Sequence, residues 1–418
     1  MASTWLICLA DSSTGSQIGS SATGYSPLAG GVGNNATEAN AQTLIRDTYT
    51  ASNLWARTTS NGSDGTTTIR TRKAAANGGQ SVSFAASVTG TAEDTVNTDA
   101  MATGELWNYS IANAGTGVFT SSILSLLLQH AGTGNFPLVA ARVADGFTQS
   151  ENLVRYLSVA GSGTGQATEA NAQYTFRVAA TLSNFRVYIS ANSIGANTSA
   201  ATRKNAGAGG QSVTITASTT GSYEDTVNTD SVVAGDEVNY VVDSTSAKMG
   251  SLTTRLAQVE STAVGRQLVV SSTGAGVSNV LVYWPVEGLQ RATTATTEAN
   301  VQLDARTTLT IENMYAYVSA NTRAANTVVA FRKNGASAGP TVTFGSSVTG
   351  VQEDTVNTTT VADGDLINYS IDGTAAAGTT TFQILGVEET QPGGANTEGG
   401  EHPFRQEPVR RTFALVAV

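Results

Sequence analysis

Three pairs of adjacent carboxylates could do chemistry: Glu93–Asp94, Glu224–Asp225 and Glu353–Asp354. Each pair opens the same hexapeptide, EDTVNT. Paired carboxylates are the equipment of a glycosidase, and acidic clusters that of a calcium site. Calcium takes about six to eight oxygens from several groups. Two neighbouring acids on an extended chain point to opposite faces, so this spacing supplies too few ligands. In the structural reading, each aspartate bonds nearby backbone N–H groups and turns the chain into a strand. Acids repeated three times beside turn residues read as scaffold. No catalytic, cofactor-binding or metal-binding residue is assigned.

Other reactive groups are scarce. The chain has two histidines, His130 and His402, and one cysteine, Cys8. Hydrolase triads and spaced Cys/His zinc ligands are missing, so an enzyme is not expected. A lone cysteine permits no internal disulfide. The net charge of −10 opposes phosphate binding, so nucleic acid is not an expected partner. No apolar run approaches the roughly 20 residues that cross a bilayer. The start, MASTWLICLADSSTGS, lacks the basic and long apolar regions of a signal peptide. Cytoplasmic synthesis without export is the expectation. It leaves the sequons Asn108–Ser110 and Asn368–Ser370 little weight.

The elements that position these acids recur with them. The three hexapeptides lie 131 and then 129 residues apart. TEAN keeps step at Thr37–Asn40, Thr168–Asn171 and Thr297–Asn300, and Arg-Lys at Arg72–Lys73, Arg203–Lys204 and Arg332–Lys333. An asparagine opens an apolar run as Asn53, Asn184 and Asn313. A Gly-acid step recurs as Gly104–Glu105, Gly235–Asp236 and Gly364–Asp365. Three unrelated segments would not hold one register, so the chain reads as a triplicated domain: residues 1–131, 132–262 and 263–390, followed by an arm at 391–418. Units of this size can bury their own cores.

Strand signals dominate each unit. In Asn313–Asn321, NMYAYVSAN, Met314, Ala316 and Val318 share one face, and Tyr315, Tyr317 and Ser319 the other. Phe185, Val187 and Ile189 match the first set, opposite Arg186, Tyr188 and Ser190. After the third Gly-acid step, Ile367 and Tyr369 should face inward, with Leu366 outward. In the third unit strands are expected near 281–286, 300–306, 311–320, 327–333, 340–345, 355–361, 365–371 and 379–388. Eight short strands in such a length indicate an all-β jelly-roll sandwich, with an immunoglobulin-like sandwich as the alternative. Gly104, Gly235 and Gly364 are expected in turns. The Arg-Lys pairs are expected to face the EDTVNT acids in ion pairs worth about 0–1 kcal/mol.

An apolar strand precedes each unit: Thr4–Ala10, Asn135–Ala141 and Arg266–Ser272. A fourth version, TFALVAV, ends the sequence at Thr412–Val418. Either such a strand closes the preceding unit, leaving the first copy to pair elsewhere, or the terminal strand adds to a sheet edge on a neighbouring molecule. Phe413, Leu415, Val416 and Val418 are the candidate assembly residues, at the end of a polar Pro- and Gly-rich arm. The alternative is an ordinary last strand docked on its own domain.

The run RKNG…TVTF…VTG…EDTVNT…VADGDLINYSI resembles modules of bacteriophage virion proteins with jelly rolls of the tumour-necrosis-factor and complement-C1q type. The resemblance implies a non-enzymatic structural protein of the virion, made in the host cytoplasm. Its expected partners are the major capsid protein or other virion proteins, with no cofactor and no membrane. Such jelly rolls associate as trimers, so three fused copies would form a pseudo-trimer within one chain. The expected role is a capsid decoration protein that stabilises the coat lattice. Alternatives are a tail-fibre module binding host glycans through exposed Tyr188, Tyr315 and Tyr317, and a self-associating filament subunit joined by strand exchange.

Overall fold

The computed structural model describes residues 3–10, 16–31, 34–132, 134–142, 146–161, 165–245, 249–262, 266–290 and 295–390. The arm at 391–418, with Phe413, Leu415, Val416 and Val418, lies outside the described residues, as does His402.

Eight strands build the first sandwich: β1 (Ser3–Ala10), β2 (Thr23–Ser26), β3 (Tyr49–Asn61), β4 (Thr67–Lys73), β5 (Ala76–Phe84), β6 (Gly90–Met101), β7 (Leu106–Asn113) and β8 (Phe119–His130). One sheet runs β1-β8-β3-β6 and the other β2-β7-β4-β5. Apart from the β4–β5 hairpin, sequence neighbours thus alternate between sheets, which is the jelly-roll order. Short stretches extend the sheets. Gly30–Gly31 lies parallel to β1, and Thr43–Leu44 pairs with β7.

The second and third sandwiches repeat this plan. Their third strands, Ala180–Asn192 and Leu309–Asn321, have the length and bulges of β3. Alternation in the sequence becomes burial in the fold. Met314, Ala316 and Val318 are buried, as are Ile367 and Tyr369 with their counterparts Trp107, Tyr109, Val238 and Tyr240. Leu366 is half-buried. The strand expected over 300–306 is only Leu303–Asp304, preceded by a 3-10 turn at Glu298–Asn300. Of the strand expected over 355–361 only Thr359–Val361 forms, because the signature separates it from an unforeseen strand at Gly350–Asp354.

Each apolar leading strand belongs to the sandwich it begins and does not close the preceding one. Ser3–Ala10 pairs with Phe119–His130, Phe136–Ala141 with Ser251–Ser261, and Arg266–Val277 with Thr380–Thr390. That pairing joins the two ends of each unit and covers the apolar face of the leading strand; the cost of closing so long a loop grows only slowly with its length.

The three sandwiches do not hang as beads. One continuous apolar cluster joins the first two and takes in Val269, Tyr315 and Ile384 from the third. A second cluster joins the third to Leu6, Cys8, Ala10, Trp55 and Ile123 of the first. Each sandwich therefore packs against both others.

Candidate functional site

Every part of the EDTVNT signature can be placed. Along β6, Ser52 pairs with Thr98 and Leu54 with Asp94, so the residues between are squeezed out as a bulge. Asn53 sits opposite at φ 55, a left-handed conformation that asparagine tolerates better than most residues. Asn184 and Asn313 repeat it at φ 55 and 53.

The aspartate holds the bulge. Asp94 Oδ1 accepts the N–H groups of Val96 at 3.2 Å and Asn97 at 3.0 Å, while Oδ2 accepts Ser81 N–H at 2.9 Å. Asn97 Nδ2 donates back to the same carboxylate. Ser81 lies on β5, the edge of the other sheet, so Asp94 also laces the two sheets together. Asp225 and Asp354 repeat the arrangement with Ser212 and Thr341. Burial works against the charge, but the N–H donors outweigh it. Asp94 and Asp354 are held below the usual carboxylate range, and Asp225 falls to about 2.

The glutamate does something the sequence reading did not foresee. Glu224 pairs with Arg46 of the first sandwich, Glu353 with Arg177 of the second, and Glu93 with Arg306 of the third. The links run first to second, second to third and third to first, closing a ring. Arg46, Arg177 and Arg306 keep the 131 and 129 spacing of the signatures, a signal that could have identified them from the sequence.

The expected partnership of the Arg-Lys pairs with these acids is therefore wrong. Arg72 forks onto Glu38 of TEAN at 2.9 and 3.0 Å and lies over the Tyr25 ring. Arg203 and Arg332 do the same with Glu169 and Glu298, over Tyr156 and Tyr283. The lysines take the Gly-acid step: Lys73 to Glu105 at 2.5 Å, Lys204 to Asp236 at 2.8 Å and Lys333 to Asp365 at 3.8 Å. Those acids follow Gly104, Gly235 and Gly364, which have φ of 88, 94 and 87 and so make the turns. Residue spacing along a strand does not show which neighbouring element supplies a counter-charge.

The three tyrosines expected to be exposed for sugars are not fully exposed. Tyr315 is 1% exposed, packed on Tyr174 of the second sandwich with ring centroids 5.4 Å apart. Tyr188 and Tyr317 are half-buried, and Arg186 lies over the Tyr188 ring. Alternation correctly separates two faces of this strand, but a neighbouring sandwich covers the second face. These two of the chain's sequons are buried, since Asn108 and Asn368 are fully enclosed.

The three seams differ in content. In the first, Gln258 accepts Leu44 N–H at 3.3 Å and donates to Leu44 C=O at 2.9 Å, and Arg186 donates to Gln42 C=O. In the second, Tyr174 packs against Gly386, where no side chain would fit. In the third, Trp55 enters the apolar cluster, and Cys8 N–H donates to the buried Glu287 at 3.1 Å. Trp55, Arg186 and Tyr315 occupy equivalent positions, so the units differ at this seam position.

Where the three meet, glycines replace side chains. A Cβ on Gly30 would sit 2.8 Å from Val139 O of the second sandwich. On Gly161 it would sit 2.5 Å from Val269 O of the third, and on Gly288 2.5 Å from Ala10 O of the first. These contacts run in the same cyclic order as the ion pairs.

A buried polar network also separates the units. Asp99 accepts Thr71 Oγ1 at 2.6 Å and Gln80 Nε2 at 3.2 Å, and Gln80 Oε1 accepts Leu54 N–H at 2.9 Å. Thr202, Gln211 and Asp230 repeat it. The third unit has Phe331, Pro340 and Thr359 there instead. All three positions changed together, as expected when a half-satisfied network is worse than none. Asp99→Thr alone should cost about 2–4 kcal/mol by removing the charged acceptor of Thr71 Oγ1, Gln80 Nε2 and Gly79 N–H. Adding Thr71→Phe and Gln80→Pro should recover most of that loss. Denaturant titration of the single and triple variants decides it, and additive losses would refute the coupling.

Among the described residues, no three His, Cys, Asp or Glu side chains group together as metal ligands. The signature, TEAN, Arg-Lys and Gly-acid residues described above bond one another. No family model matches the chain, and no curated protein matches it.

Proposed function

We propose that this chain is a non-enzymatic structural protein of a virion, a decoration subunit that seats on a threefold position of a coat lattice and stabilises it. The observation that carries this reading is the ring Arg46–Glu224, Arg177–Glu353 and Arg306–Glu93. It makes one chain a body with three similar faces around a centre, the shape that matches a site surrounded by three like neighbours. The residues that repeat most strictly hold turns and seams, which supports scaffold over chemistry. The glycan reading loses its main support with Tyr315 buried.

The test uses particles released by cells that carry the gene, and particles from a strain lacking it. The proposal expects a three-lobed density at threefold positions of the first set only, seen by electron microscopy. It also expects the second set to come apart at lower temperature. Particles without the chain, or carrying it only at the tail, would refute the reading.

A further inference from the structure

We propose that the three EDTVNT bulges form one divided interaction surface, and that its partner is three copies of a single protein grouped around a threefold axis. The valine of each bulge enters an uncharged apolar pocket on one copy.

The argument begins with what the fold leaves unused. Glutamate closes a seam, aspartate holds the bulge, and asparagine donates to aspartate. Val96, Val227 and Val356 do none of this. They are 85%, 86% and 84% exposed, matched among the large apolar side chains of the described residues only by Met249 at 84%. Thr95 and Thr98 are exposed beside Val96. A β-branched apolar residue at the tip of a solvated bulge adds nothing to folding, and one such residue alone would need no explanation.

Three identical ones do. The flanking residues diverged freely: Thr-Ala, Ser-Tyr and Val-Gln precede the signature, and Asp-Ala-Met, Asp-Ser-Val and Thr-Thr-Val follow it. Residues in the seams diverged as well. An exposed valine kept in all three units has a use in all three. A partner with one binding site would engage one bulge and free the others to drift, whereas a threefold partner engages all of them.

The chemistry of the bulge specifies the pocket. The valine is rimmed by Thr, Asn and Thr, and the two neighbouring acids are already engaged: Asp94 is buried and accepts backbone N–H groups, and Glu93 is paired with Arg306. The contact is therefore apolar at its centre and neutral at its edge. The bulge is also prefixed by Asp94, so little ordering entropy is lost on binding.

This inference does not depend on the partner being a coat protein. A photoreactive p-benzoylphenylalanine replaces Val96, Val227 or Val356, one at a time, in cells that naturally carry the gene. Irradiated adducts are mapped by mass spectrometry. The expected result is the same partner peptide from all three positions. Changing the other two valines to serine should lower the adduct yield by about tenfold or more, because binding is multivalent. The Val→Ser variants should keep the parent thermal midpoint. No adduct, different proteins from the three positions, a second copy of this chain, or a yield indifferent to the other valines would each overturn the proposal. A shared adduct with a protein other than the coat would sustain it while refuting the decoration role.

Discussion

Gly161→Ala should open the junction of the three sandwiches and destabilise the protein by about 3–5 kcal/mol. Two costs combine. Gly161 has φ 79, where an alanine is strained. The new methyl would also sit 2.5 Å from Val269 O and 3.0 Å from Gly288 O. Both are backbone atoms of the third sandwich, so no side chain can swing aside. The third sandwich must move, and the contacts nearest the junction part with it. Gly104→Ala is the control. Gly104 has nearly the same backbone, φ 88, but nothing lies within 4 Å of its added Cβ. It should cost only about 1 kcal/mol. Denaturant unfolding measures both variants, and X-ray scattering should show the first expanding beyond the roughly 22 Å radius of a compact chain of this length. Equal losses at the two positions would mean that the junction bears no special stress.

Much of this architecture was legible in the residues, and the limits of that reading are physical. Alternation in NMYAYVSAN places Met314, Ala316 and Val318 on a buried face because strand period is local. The constant register of TEAN, Arg-Lys and EDTVNT reveals three copies because insertion would break it. Partner choice is different. Arg72 finds Glu38 instead of Glu93 because strand order, which no local pattern encodes, brings TEAN beside it. The burial of Tyr315 depends on a neighbouring sandwich that lies 142 residues away at Gln173. Arg46, Arg177 and Arg306 sit in dissimilar surroundings, LIRD, TFRV and DART, so only their constant spacing marks them in the sequence, and what they pair with shows in the fold.

The seams also explain how a tripled chain avoids mispairing. Identical interfaces would let units of different molecules exchange, the hazard of domain swapping. Here the Gln258 clasp, the Tyr174–Gly386 fit and the Trp55 cluster each suit one partner. Tyr174 could not occupy the place that Gln258 fills. The uniform Arg–Glu links set a common geometry, and the private contacts fix the order.

Protein stability should fall as pH rises from about 5 to about 8. The cause is a pair of carboxyl groups buried at seams. Burial, with Asp47 adding to it against the pull of Arg46, raises Glu260 to about 8. Gln258 Nε2 is 3.5 Å away, and the Tyr49 and Tyr240 rings feel the same acid. At the next seam burial raises Glu388 to about 7, with Glu312 reinforcing it and Asn313 and Arg177 opposing. Both groups bind a proton more tightly folded than unfolded. Their stabilising effect is full below the ordinary value of 4.5 and fades as pH climbs through the folded values. The whole effect is on the order of 5 kcal/mol for Glu260 and 3 kcal/mol for Glu388. The bulge aspartates act oppositely. Their folded values are depressed, so their contribution is lost as pH drops below about 4. The two trends place the optimum near pH 5. Glu260→Gln keeps the shape without the titration and should flatten the decline between pH 5 and 8. Thermal melts of both proteins across that range test it. A parent curve that stays level, or a variant that declines as steeply as the parent, would show that Glu260 is ionised in its seam and compensated there.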